Sequence, residues 1–184
     1  MKKIGDRISF EDSKVKATVV IVPERNHIVN MLMGAWLGMW YCIGAVVIWS
    51  LFQLVLKEQE RIILYIFLVF WCYYAFRISK SYLWLLFGKE LLKLNKDAFY
   101  IKNSFFGYGK LNPYYYDNIK DFSFHIPEVR SIQSIWESSP WVSGGERFEF
   151  EYFGKIKKFG RKLNERDSRL LSNLLKSKIK SLSK

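Results

Sequence analysis

Polar and apolar positions divide this chain into stretches of different period. From Ile28 to Leu56 there is no Lys, Arg, Asp or Glu. A helix over that run, rising about 1.5 Å per residue, exceeds the ~30 Å hydrocarbon core of a bilayer. A second apolar run, Ile62 to Phe76, starts directly after the charged turn Lys57-Glu58-Gln59-Glu60-Arg61. Alone it falls short of the roughly 20 residues a span needs. The helix is therefore expected to continue past Arg77 and Lys80 through SYLWLLF to Phe87, both cations snorkelling toward headgroups. So short a connection makes the helices antiparallel. Residues 28–87 read as a two-helix transmembrane hairpin, because the first run has no polar face to turn toward water.

Outside the hairpin the period shortens to that of strands. Lys14 to Pro23 carries β-branched residues in a run ending at proline, an extended segment that could add to a later sheet. After Gly88, short apolar pieces are broken at Asn95-Lys96-Asp97 and at Gly107 and Gly109, and Ile119, Phe122 and Phe124 alternate imperfectly with polar residues. Phe148, Phe150 and Tyr152 alternate with Glu149 and Glu151. Phe153-Gly154-Lys155 then turns the chain into Ile156–Gly160, a hairpin signal.

A closing helix follows, with Asn164 as its cap and Asp167 completing an approximate capping box. Leu170, Leu171, Leu174, Leu175, Ile179 and Leu182 recur at helical spacing, opposite Arg166, Arg169, Lys176 and Lys180. Such a stripe covers a sheet or plugs a small barrel; the alternative is a basic amphipathic helix lying on anionic lipid. The expected class is a membrane α-helical hairpin plus an α+β domain. Its parts are a cytoplasmic N-terminal segment (1–27), the hairpin (28–87) and a cytoplasmic domain (88–184).

Charge orients this arrangement. Lys and Arg number 29 against 17 Asp and Glu, a formal net charge of +12. Lys2, Lys3, Arg7, Lys14, Lys16 and Arg25 precede the first helix, and Arg77, Lys80, Lys89, Lys93, Lys96 and Lys102 lie at or beyond the end of the second. In the turn, Glu58 and Glu60 offset Lys57 and Arg61. Positive flanks stay on the cytoplasmic side, so both termini are expected there, in a cytoplasmic (inner) membrane. The charged start lacks a cleavage site after a short apolar core, so the first helix is expected to be retained. Basic charge beside a membrane helix is explained by topology and by anionic lipids, at about 1 kcal/mol per cation near the surface. No zinc finger, RNP motif or basic zipper points to nucleic acid.

Candidate sites are few. Gly34, Gly38, Cys42 and Ala45 form a small-residue face for close helix packing, either against the second helix or against another integral membrane protein. Trp36, Trp40, Tyr41 and Trp49 lie off that face and are expected to meet lipid or a larger partner. Cys42 and Cys72, one in each helix, read as packing residues with no disulfide and no metal. The aperiodic stretch 127–146 holds Trp136 and Trp141, which are partner contacts if exposed and core if folded back. Lys155, Lys157, Lys158, Arg161 and Lys162 make a candidate grip on anionic headgroups. No GxSxG, HExxH, P-loop or GxGxxG occurs, and His27 and His125 are the two histidines. The expectation is a protein without catalytic residues, cofactor, metal or small-molecule substrate.

Trp84, Gly88, Lys89 and Glu90 at the membrane exit, Ile119 opening a central strand, Phe153-Gly154-Lys155, and Phe159-Gly160 leading to Leu163 together carry a resemblance. Over residues 28–184 the chain resembles bacterial membrane proteins that pair a two-helix hairpin with a pleckstrin-homology-like (PH-like) domain. Its layout is also similar to that of the photosystem I assembly factor, whose motifs it does not share and whose role is not carried over. The resemblance implies a PH-like split β-barrel of about seven strands closed by a C-terminal helix. It also implies a non-catalytic scaffold, accessory subunit or assembly factor that works by binding protein partners.

Overall fold

The computed structural model describes every residue except 1, 14, 15, 25, 126–130, 133, 134, 136, 138, 140, 143, 183 and 184, and the side chains of 179–182. The chain forms two compact units, one of Arg25–Leu86 and one of Met1–Glu24 with Phe87–Lys184.

The first unit is the helical pair α1 (His27–Gln53) and α2 (Glu58–Phe87). Asn26 caps α1, its side-chain oxygen accepting from the amides of Ile28 and Val29 at 3.1 and 3.2 Å. At the start of α2 the Lys57 amide donates to Glu60 Oε2 at 2.9 Å, the reciprocal half of a capping box. Both helices are long and apolar enough to cross a membrane. Only 17% and 11% of the residues in their most apolar windows are buried, unlike the core helices of a soluble fold.

The helices meet through large residues set on small ones. A Cβ on Gly44 would lie 2.1 Å from the Trp71 ring, and one on Gly34 would lie 2.6 Å from the Tyr82 hydroxyl. Trp71 Nε1 donates to the carbonyl of Trp40 at 2.8 Å, and Tyr41 and Ser79 share a hydroxyl hydrogen bond of 2.7 Å. In an apolar medium such bonds satisfy groups that water cannot reach.

The second unit has two antiparallel sheets. The larger runs β1 (Lys2–Lys3), β2 (Ile8–Asp12), β3 (Ala17–Ile21), β4 (Gly88–Leu94), β5 (Ala98–Phe105) and β6 (Leu111–Tyr115), each strand beside the next. The smaller is β7 (Ile119–Phe124), β8 (Glu146–Tyr152) and β9 (Lys155–Arg161). The β8–β9 turn has φ of +50° at Phe153 and +72° at Gly154, the left-handed pair that a tight hairpin requires.

A helix, α3 (Glu165–Leu182), completes the unit. Asn164 caps it by accepting from the Asp167 amide at 2.7 Å. Val19, Leu92 and Phe99 from the large sheet, Phe148, Phe150 and Phe159 from the small one, and Leu171 and Leu175 from α3 form one core. Rings of Phe148 and Phe159 stack at 5.0 Å, and Phe99 meets Phe159 edge-on at 5.4 Å.

Two expectations change. Residues 1–24 group with the domain and not as a segment apart, while the extended run before Pro23 does add to the later sheet: β3 pairs with β4 from Ala17↔Leu94 to Ile21↔Glu90. The β-branched alternation of β3 buries Ala17, Val19 and Ile21, which need a sheet to cover them. Nor do the strands close. Among the described residues nine strands form two separate sheets, and a 3-10 turn at Tyr116–Asn118 separates β6 from β7, which do not pair. The fold shown is thus α+β with two sheets and three helices among the described elements, two of them long and apolar enough to span a membrane.

Candidate functional site

Strand direction gives the domain two distinct ends. β4 begins at Gly88, directly after α2, and β3 finishes at Ile21, shortly before α1, so both junctions with the hairpin lie at one end. Gly160 and Arg161 of β9 reach the same end, where they meet Glu90. The Asn95–Asp97 and Phe153–Gly154 turns lie at the other.

At the helix-joined end sits a buried polar cluster. In β4, Gly88, Glu90, Leu92 and Leu94 share the inward face, so period two carries a carboxylate into the core. Glu90 is 3% exposed, and its Oε2 accepts from the Gly160 amide at 2.9 Å and the Arg161 amide at 3.3 Å. A Cβ at Gly160 would lie 2.6 Å from the Phe148 ring, and its φ is +74°; only glycine aims this amide inward without strain. Glu90 thereby bonds the two sheets where no ladder joins them.

Arg7 locks a further set of elements to this point. Its Nε donates to the Val22 carbonyl at 2.8 Å, and its other nitrogens donate to the carbonyls of Lys162 and Arg161. Asp167, fully buried in α3, accepts from the amides of Asp6 and Arg7, both at 3.3 Å. Gly5 leaves room for that carboxylate, since a Cβ there would lie 2.1 Å from Asp167 Oδ1.

Burial pushes the Glu90 carboxyl up to about 7; the two amides and the Arg161 charge oppose the rise, and Glu146 adds to it. Burial, with the charges of Arg161 and Arg7, brings Lys162 down to about 8, against Glu146. Burial also lowers Arg7 and Arg161. The cluster is a clamp between strands in which two backbone amides hold the Glu90 carboxyl, the group that burial brings to about 7.

A second feature lies toward the opposite end. Phe99, Tyr116, Ile119, Phe122 and Leu175 line a half-open cavity of about 230 Å³. About 150 Å³ is enough for a benzene-sized guest. Burial pushes the Tyr116 phenol up to about 12, and its hydroxyl donates to the Asn95 carbonyl at 3.2 Å. The chemistry of this space is apolar.

The residues singled out from sequence are dispersed. Gly34 packs on Tyr82, whereas Gly38 has open space where a side chain would stand, and Cys42 and Ala45 are exposed. The helix contact runs through Gly34 and Gly44 instead. Trp136 lies outside the described residues; Trp141 is half-buried. Lys155 and Lys157 share the face of β9 that carries Phe159, while Lys158 lies on the other face, 3.2 Å from Glu149. Arg161 ends that strand and Lys162 follows it, both at the Glu90 cluster; Lys162 Nζ donates to the Ser139 carbonyl. These five cations do not form one patch.

His125 is exposed and uses its amide to extend the β7–β8 ladder, donating to the Arg147 carbonyl at 2.8 Å. Among the described residues no group of three or more His, Cys, Asp or Glu is placed to hold a metal. The sequence does not mark Arg7, Glu90 and Asp167 as a set. Its available signal was an acid in register with Leu92 and Leu94. Comparison with known protein families, characterised proteins and solved structures finds no match to this chain.

Proposed function

We propose that the chain is a non-enzymatic integral membrane adaptor of the cytoplasmic membrane. In this reading α1 and α2 cross the bilayer as a multi-pass hairpin with both termini cytoplasmic. The domain is a PH-like module whose two sheets stand for the halves of a split barrel. It binds protein partners as an accessory subunit or assembly factor of a membrane complex.

The observation that carries the reading is the hairpin's division of its small residues. Gly34 and Gly44 are spent on the α1–α2 contact, while Gly38, Cys42 and Ala45 remain uncovered on α1. A face of that kind lets another helix approach more closely than lipid tails can pack. The β3–β4 ladder supports the orientation, because strands paired in one sheet must lie on one side of the bilayer. The alternative, an anionic-lipid-binding module, draws little from the β9 cations, which are spread along the strand and over both its faces.

Affinity purification of the tagged full chain from native membranes in several mild detergents, followed by mass spectrometry, tests the adaptor role. Recovery of the same membrane proteins in near-stoichiometric amounts is expected. Recovery of the chain alone in every detergent overturns it.

A further inference from the structure

The β5–β6 turn holds its aromatic rings away from the core. Phe106 is 61% exposed and Tyr108 is 83% exposed. Keeping such side chains out of an apolar environment costs free energy. The turn is nevertheless tightly made. Phe105 and Tyr108 exchange backbone hydrogen bonds of 2.8 Å, and Phe106 and Gly107 take φ of +50° and +89°. Gly109 presses the returning strand against Asn103, where a Cβ would stand 2.2 Å from the carbonyl oxygen. The outward presentation of Phe106 and Tyr108 is therefore built into the backbone.

Three observations point to what covers them. The Gly88↔Phe105 register brings the turn to the helix-joined end of the domain. The Phe106 ring stacks on that of Phe87, the last residue of α2, at 4.2 Å and 26°. The surrounding charge is of one sign: Lys102 and Lys110 flank the turn, Lys102 Nζ donates to the Gly107 carbonyl at 2.9 Å, and no acidic residue occurs from Ala98 to Tyr116. Leu111, 42% exposed, extends the apolar edge.

The level of Phe87 follows from the helix. A span of about 20 residues beginning at Ile62 ends near Ser81. The remaining turns to Phe87 rise about 9 Å further, to the headgroup layer. Tyrosine and tryptophan rings concentrate at that depth, as Tyr108 would, and cations beside them meet lipid phosphates.

We infer that the Phe106-Gly107-Tyr108 turn is an interfacial lipid anchor, seated with Phe87 in the headgroup layer of an anionic bilayer while Lys102 and Lys110 face the phosphates. The inference rests on the reading of α1 and α2 as membrane spans. It fixes the domain to the leaflet at a second point and makes the lipid surface part of its binding site.

Full-length protein in phosphatidylcholine–phosphatidylglycerol vesicles tests this, with an NBD fluorophore on one cysteine at a time. The positions are native Cys42 (with Cys72→Ser), and Tyr108→Cys or Ile156→Cys (each with Cys42→Ser and Cys72→Ser). Ile156 is 66% exposed, beside the β8–β9 turn at the opposite end. The expected result is quenching of position 42 by deep spin-labelled lipid, quenching of position 108 by shallow spin-labelled lipid with a blue-shifted emission, and no quenching at 156. Quenching at 42 with position 108 as unquenched as 156 overturns the anchor and leaves the spans standing. No quenching at 42 overturns the span reading itself. A blue shift at 108 found in native membranes but absent in pure vesicles assigns the turn to a protein partner and likewise overturns the lipid anchor.

Discussion

Ile21 and Glu90 face one another across the β3–β4 ladder, with the whole of α1 and α2 between them in the chain. The helical pair is thus an insertion between two neighbouring antiparallel strands. That pairing gathers residues from before and after the helices into one sheet, and sets Glu90 where it can also reach β9.

Cross-linking reads this ladder directly. Val20 and Leu91 are register partners, and paired strand residues have Cα separations of about 4.5–5.5 Å, within disulfide range. In a background with Cys42→Ser and Cys72→Ser, Val20→Cys with Leu91→Cys should form a disulfide on mild oxidation of intact membranes, seen as a mobility shift on non-reducing gels. Val20→Cys with Ile156→Cys should not.

The Glu90 cluster sets a pH dependence of defined sign. Glu90 moves from its ordinary 4.5 to about 7 on folding, so the native state holds this proton more tightly than the unfolded chain. Its stabilising effect is complete below about 4.5 and is lost as pH rises to about 7, a change of the order of 3 kcal/mol. Lys162 acts in the opposite sense: lowered from 10.5 to about 8, it lets stability recover as pH rises from about 8 toward 10.5. Thermal unfolding of the full chain in detergent should show a minimum near pH 7–8. Glu90→Gln, which keeps an oxygen for the amides, should flatten the slope below pH 7 and leave the upper limb.

Two glycines of α1 should separate hairpin stability from partner binding. Gly44→Leu drives a side chain into the Trp71 ring and should lower the melting temperature, a cost of about 1–3 kcal/mol. Gly38→Leu enters open space and should leave the melting temperature unchanged while reducing co-purification of membrane partners.

The cavity predicts an asymmetry in core substitutions. Ile119→Phe adds volume into a space of about 230 Å³ and should be neutral or stabilising in thermal unfolding. Leu92→Phe, at a fully buried position in the filled core, should cost about 1–3 kcal/mol.

Much of this fold is legible along the chain. The α2 end at Phe87, the Asn26 and Asn164 caps and the Phe153-Gly154 turn are each set by residues within one or two turns of one another, so local chemistry declares them. The Arg7–Glu90–Asp167 cluster is different, because its members come from three distant segments and each had a sufficient local explanation. Arg7 is one cation of the positive flank, Glu90 directly follows a helix, and Asp167 stands at a capping-box position. Its carboxylate instead accepts from Asp6 and Arg7.

By itself the order of residues determined two apolar helices, a domain of short strands, a closing helix and the sign of the charge at each flank, since periodicity and charge are properties of neighbours. Only the tertiary structure decided that β3 joins β4 and that Gly44 rather than Gly38 receives the facing helix. It alone parted the β9 lysines and set Phe106 against Phe87. These outcomes depend on register and on which faces meet, and contacts between segments remote in the chain are settled by packing the whole core at once.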